Sequence, residues 1–125
     1  MAADLVPDIS RRWREEALAG DLRLLSREVP PGVGIAYAGD AASVAGALYV
    51  LEGSRLGSKV LLRHLETCLP GLPSQFLSHG MDRPLWQSFV GWLNSEKWTP
   101  EDLAVMRGSA ASVFRAYLSA CDDGD

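Results

Sequence analysis

Apolar residues recur along this chain at intervals of three and four, the spacing that gathers them on one side of a helix, and no segment alternates as a strand does. Asp8 or Ser10 can cap a first helix whose apolar side is Ile9, Trp13, Ala17, Leu18, Leu22 and Leu25, running to about Arg27 and open to splitting at Gly20-Asp21. Arg11, Arg12, Arg14, Glu15 and Glu16 cover its other side, which reads as a solvated, internally paired face. From Val29 to Gly39 two prolines and three glycines exclude a helix, leaving a loop that packs on the domain or borders a binding site. Asp40 then opens a long helix that Pro70-Gly71 stops after about Cys68. Pro73 to His79 makes one or two helical turns closed by Gly80. Pro84 begins a helix whose Trp86, Phe89 and Trp92 form a heavy packing surface. Thr99-Pro100-Glu101-Asp102 is a capped start for a last helix, with Leu103, Met106, Ala110, Val113, Phe114, Tyr117 and Cys121 on one face and a frayed acidic tail from Asp122 to Asp125. The pattern predicts an all-α fold in one domain, residues 1–125.

The long helix carries the unusual feature. At 100° per residue Gly46, Gly53 and Gly57 share one narrow stripe, which Ala42 extends toward the N-terminus. Each interior glycine costs about 0.8–1 kcal/mol relative to alanine, so something must lie against the stripe to offset it. Spacing alone favours a tight helix crossing; a groove for a planar ligand is the sharper reading. Val44, Leu48, Leu51 and Leu62 fall on the opposite face, and Glu52, Lys59, Arg63 and Glu66 on one edge that should be wet. Gly57-Ser58 is the kind of pair at which a helix bends, so a kink is expected there.

Composition narrows the partners. The chain has 125 residues, 47% of them hydrophobic, and a net charge of −4 with both signs interspersed, so it offers neither a basic field for nucleic acid nor a polybasic patch for a membrane. Without a signal-peptide pattern or a membrane-length apolar run, a cytoplasmic location is expected. Cys68 and Cys121 lack metal-ligand spacing and read as buried, reduced thiols. His64, on the glycine-bearing face, and His79, beside a helix end, are the natural ligand candidates, although lone histidines more often serve surface or capping roles. No hydrolytic triad, phosphate loop, zinc motif or carboxylate pair stands out.

The run from Gly46 to Leu61, with Leu-Tyr-Val-Leu-Glu-Gly-Ser-x-Leu-Gly at its centre, followed by Phe76-Leu-Ser-His-Gly80 and the Leu85-Trp86 helix, resembles the bacterial biliverdin-producing haem oxygenases, including those that accompany bacteriophytochromes. The resemblance extends from about Leu5 to Leu118. It implies a multi-helix bundle in which haem lies between a proximal helix and a kinked, glycine-rich distal helix. The activity it implies is oxidative opening of haem to biliverdin, iron and carbon monoxide, with electrons from a separate reductase and a bacteriophytochrome as a possible biliverdin acceptor.

Carried over residue by residue, Gly53 and Gly57 become the distal glycines that bring the backbone to the haem face and shape the oxygen pocket. Tyr49 lines that pocket, Ser58 stands where the motif commonly has a third glycine, and Arg115 is the candidate for a haem propionate. The family carries its proximal histidine on an N-terminal helix that precedes everything matched here, and neither His64 nor His79 occupies that position. The resemblance therefore implies an N-terminally truncated haem oxygenase-like domain that is inactive alone. Its competitors are a non-catalytic helical ligand-binding or interaction module derived from the same fold and an enzyme acting on another small planar substrate.

Overall fold

The computed structural model describes residues 6–31 and 40–123, and every regular element among them is helical. A 3-10 turn at Ile9–Arg11 precedes α1 (Glu15–Leu24), α2 (Ala41–Cys68), α3 (Gln75–Ser78), α4 (Leu85–Ser95) and α5 (Pro100–Asp123). Residues 27–31 are irregular, in keeping with Pro30 and Pro31, and the remainder of the expected loop, 32–39, lies outside the described residues. Gly124 and Asp125 of the acidic tail also lie outside them, whereas Asp122 and Asp123 continue the last helix instead of fraying from it.

Three boundaries follow from local chemistry. Asp40 takes an extended conformation at the N-cap of α2, and its carbonyl accepts the Val44 N–H at 3.0 Å. Gly71, at φ +92°, turns the chain after α2 into a left-handed conformation that costs glycine little. At the start of α5 the Thr99 hydroxyl accepts the Asp102 N–H at 3.1 Å while the Asp102 carboxylate accepts the Thr99 N–H at 3.0 Å, a reciprocal cap of a proline-led first turn.

The first helix departs from its periodicity. It begins at Glu15, because residues 12–14 leave the helical path and the side chains of Arg12 and Arg14 donate hydrogen bonds elsewhere in the molecule. Its packed side is Ala19 and Asp21, while Trp13, Leu18 and Leu25 are exposed. Gly20-Asp21 does not split it. Instead the Asp21 carboxylate accepts the backbone N–H groups of Gln75 and Phe76, each at 2.9 Å, and so caps the start of α3 from a distant helix.

The N-terminal half of α2 is the centre of the molecule. Val44, Ala45 and Leu48 pack with Val6, Phe89 and Trp92, and Trp86, Phe89, Trp92 and Trp98 form a ladder of rings with successive centroids 5.8–6.0 Å apart. Across the opposite side α5 crosses α2 so closely that a Cβ on Gly46 would overlap the Met106 carbonyl, and the Ser109 hydroxyl donates to the Ser43 carbonyl at 2.5 Å. The small-residue stripe thus serves a helix crossing at Ala42 and Gly46. Beyond Ser58 the helix leaves its neighbours, and Lys59, Val60, Leu61, Arg63 and His64 are all exposed.

Three expectations about exposure are corrected. Arg12 and Arg14, expected on a solvated face, are buried at 2% and 9% exposure, because their guanidinium groups find partners on α2 and α4. Glu52 is not on a wet edge with Lys59, Arg63 and Glu66 but 1% exposed, because the segment before α1 covers its half of α2. Cys68 and Cys121 are free thiols at the surface rather than in the core. No helix among the described residues is long and apolar enough to cross a membrane.

The glycines of α2 should respond oppositely to alanine. Gly46→Ala should lower the unfolding free energy by about 1–3 kcal/mol, since the Met106 backbone cannot yield as a side chain would. Gly57→Ala meets nothing within 4 Å and should raise it by up to about 1 kcal/mol through helix propensity. Equal denaturant midpoints for the two variants would show that the crossing tolerates a methyl group.

Candidate functional site

Two cavities meet along the exposed side of α2. The larger is a groove of about 660 Å³ lined by Tyr49, Val50, Gly53, Ser54, Leu56 and Gly57 of α2, Trp86 of α4, and Phe114 and Tyr117 of α5. Its walls are almost wholly apolar. Tyr49 and Trp86 meet with ring centroids 5.9 Å apart, and Phe114 and Tyr117 are 56% and 46% exposed because nothing described covers the outer side of α5.

Gly53 and Gly57 form the floor. A Cβ on Gly53 would lie 3.7 Å from the Trp86 ring, an ordinary contact, and a Cβ on Gly57 would meet nothing within 4 Å. Packing therefore accounts for Gly46 alone among the three. The other two leave backbone open to a volume within the range of small-molecule sites.

Under this floor lies a buried polar network that the sequence pattern concealed. Glu52 receives the Arg12 guanidinium at one carboxylate oxygen and Arg55 Nε at the other, the latter at 3.0 Å. Arg12 also donates to the carbonyls of Leu85 at 2.8 Å and Pro7 at 2.9 Å, and Arg55 donates to those of Arg12 and His79, each at 2.9 Å. One carboxylate thus fixes the segment before α1, α2, the turn after α3 and the start of α4. Each of its partners is itself satisfied, as a buried charge requires.

His79 belongs to the same network. Its Nδ1 lies 3.2 Å from Arg55 Nη1, a donor, so the ring accepts there in its neutral form. Partial burial, and after it Arg55 and Arg14, hold the imidazole below its usual range against smaller opposing effects of Glu52 and Asp82.

The residues singled out in the sequence separate into two groups. Tyr49, Gly53 and Gly57 line one groove. Ser58 is buried and is not among its lining residues, while Arg115 is exposed, away from the groove, with one weak contact to the Ser112 hydroxyl at 3.4 Å. His64 is exposed beside Cys68, Nε2 to Sγ 3.8 Å, and no cluster of metal-ligating side chains occurs among the described residues. Sequence reasoning missed Arg12, Arg14, Glu52 and Arg55. The available signal was the pair Glu52 and Arg55 inside an apolar helical run, where charges persist only if something compensates them.

Removing the shared carboxylate should be costly. Glu52→Gln leaves two buried guanidinium groups without their counter-ion and should destabilise the fold by about 3–5 kcal/mol, read from chemical denaturation at neutral pH. The His79 imidazole, lowered in the fold, binds fewer protons than it does unfolded. Stability should hold above the usual imidazole value of about 6.5 and decline as pH falls from there toward the lowered folded value. His79→Asn keeps an acceptor for Arg55 and cannot titrate, so it should flatten this part of the pH profile. An unchanged profile would place the titration elsewhere.

No protein-family model, no curated protein and no solved structure matches this chain.

Proposed function

We propose that this chain is a haem oxygenase-like α-domain in which the Gly53–Gly57 floor receives one face of a flat tetrapyrrole. The observation that carries the reading is the pair of helix-interior glycines with no packing role, each costing about 1 kcal/mol, at the base of an apolar groove of about 660 Å³. A helix backbone without Cβ atoms can approach a planar ring closely. In this reading α2 is the distal helix of a haem oxygenase-like bundle. The kink such helices carry at their glycines would fall at Gly57-Ser58, where helical structure here continues to Cys68.

Six of the lining residues then have definite tasks. Gly53 and Gly57 set the distance between backbone and ring, Tyr49 and Trp86 close one wall, and Phe114 and Tyr117 close the other and keep water from the bound face. Bound haem would supply the redox chemistry that opens the macrocycle to biliverdin, iron and carbon monoxide, with electrons from a separate reductase and a bacteriophytochrome as biliverdin acceptor.

The groove's apolar, open floor supports a porphyrin face, but its lining holds no counterpart of the family's axial histidine. No histidine lines it, and Arg115, the propionate candidate of the sequence comparison, is not brought to it. That favours a second reading, in which the same groove holds a planar ligand without turning it over.

Haem titration tests the groove that both readings share, and biliverdin formation separates them. Gly57→Leu should fill the groove and weaken haem binding by tenfold or more, on the scale of about 1.4 kcal/mol, while helicity by circular dichroism is kept or raised. Unchanged binding would return Gly57 to the surface. The wild-type complex should lack the spectrum of histidine-ligated haem, should survive His64→Ala and His79→Ala, and should yield no biliverdin with reductant and oxygen. Catalase-resistant biliverdin formation well above that of free haem would establish catalysis by this chain alone, and its loss in one histidine variant would name the ligand.

A further inference from the structure

The second cavity, about 170 Å³, lies on the α1 side of α2 and touches the groove only through Tyr117. Trp13, Leu18, Leu48 and Phe76 give it an apolar side; the Arg12–Glu52 pair and Glu15 also border it, and Arg14 belongs to its wall and is only 9% exposed. The guanidinium is held rigidly. Its Nη2 donates to the Leu51 carbonyl at 2.6 Å and to the Ser54 hydroxyl at 2.7 Å, and its carbon stands 4.9 Å from the centroid of the Phe76 ring.

What Arg14 lacks is a counter-charge. Of the three buried arginines, Arg12 and Arg55 take both oxygens of Glu52, and among the described residues no carboxylate lies within ion-pair distance of Arg14. Glu15, at the same cavity, is exposed and forms no such pair. Burial, and after it Arg55, disfavour the charged guanidinium against smaller opposing effects of Tyr117 and Glu52. Nε and Nη1 have no acceptor among the described residues. A guanidinium remains charged at any ordinary pH, so a buried one gains most from an anion that brings its own acceptor oxygens.

We infer that this cavity is a binding site for an apolar carboxylate, whose carboxyl group pairs with Arg14 while its alkyl or aryl body lies against Trp13, Leu18 and Phe76. Two features select this class over a free inorganic anion. The apolar wall would desolvate a bare ion without returning contact, and it strengthens an ion pair formed within it. The volume accommodates a short chain or one ring with its carboxyl group. Tyr117 also lines the cavity, and in this proposal its hydroxyl donates to the second oxygen.

The test uses 3-phenylpropionate, its neutral amide and inorganic phosphate as probes, titrated at low salt into the whole chain and followed by amide and indole NMR shifts. Saturable shifts centred on Trp13, Leu18 and Phe76 are expected for the carboxylate. The amide, which cannot form the charge-assisted pair, should bind roughly ten- to a hundredfold more weakly, as should phosphate, which has no apolar body. Arg14→Met should remove the preference for acid over amide, and Tyr117→Phe, which leaves the Arg14 contacts intact, should weaken the carboxylate without abolishing it. Equal affinity for acid and amide in the wild type overturns the inference without any variant having to fold. Shifts confined to the Gly53–Gly57 floor, or tighter binding of phosphate than of the carboxylate, overturn it as well.

Discussion

The structure depends on one buried carboxylate. Glu52 sits in the middle of the longest helix with both oxygens occupied by guanidinium groups, and those two arginines distribute their other donors over backbone carbonyls of three further segments. An ion pair taken from water gains little net stability unless its remaining donors are met. Here they are met by groups that no local sequence rule brings together. The arrangement fixes where the chain enters before α1, how the turn at His79 lies, and the approach of α4, which carries the aromatic ladder of the core.

The same constraint shapes the face available for ligands. With the segment before α1 held on one side of α2 and α4 on the other, α5 is left to cross at Gly46, and its later turns stand away from α2. The gap between them is the groove, whose floor is the part of the glycine stripe that the crossing does not reach. One stripe therefore has two uses along its length: backbone-to-backbone packing at Gly46 and an open, Cβ-free surface at Gly53 and Gly57. A planar-ligand site and a tight crossing were competing explanations of the stripe; the crossing accounts for Gly46, and the open portion at Gly53 and Gly57 is where the proposed ligand site falls.

Charge is distributed unevenly between the two cavities. The groove is lined by apolar and neutral polar residues alone, whereas the neighbouring cavity contains a guanidinium fixed in place by Leu51, Ser54 and Phe76. A flat apolar molecule suits the first and an amphiphilic anion the second. Tyr117, which lines both, and Ser54, which lines the groove and accepts from Arg14, are the side chains through which occupancy of either could be felt by the other.

The sequence by itself determined the helices and most of their ends. Three- and four-residue spacing, the Thr99-Pro100 start, Gly71 after α2 and the absence of alternation are local properties, and local hydrogen bonding enforces them wherever the segment lies. It also assembled Tyr49, Gly53 and Gly57 on one helical face, since a face is fixed by helix geometry. Tertiary structure alone decided which faces are covered. The charged cluster at Arg11 to Glu16 and the edge holding Glu52 both look like solvated surface, because a buried ion network and a wet face have the same composition. They differ only in whether compensating partners arrive from elsewhere in the chain, as Glu52 does for Arg12 across 40 residues. Likewise Trp13 and Phe114 carry the periodicity of core residues and are exposed, for burial requires an opposing surface and periodicity specifies only one side of the contact.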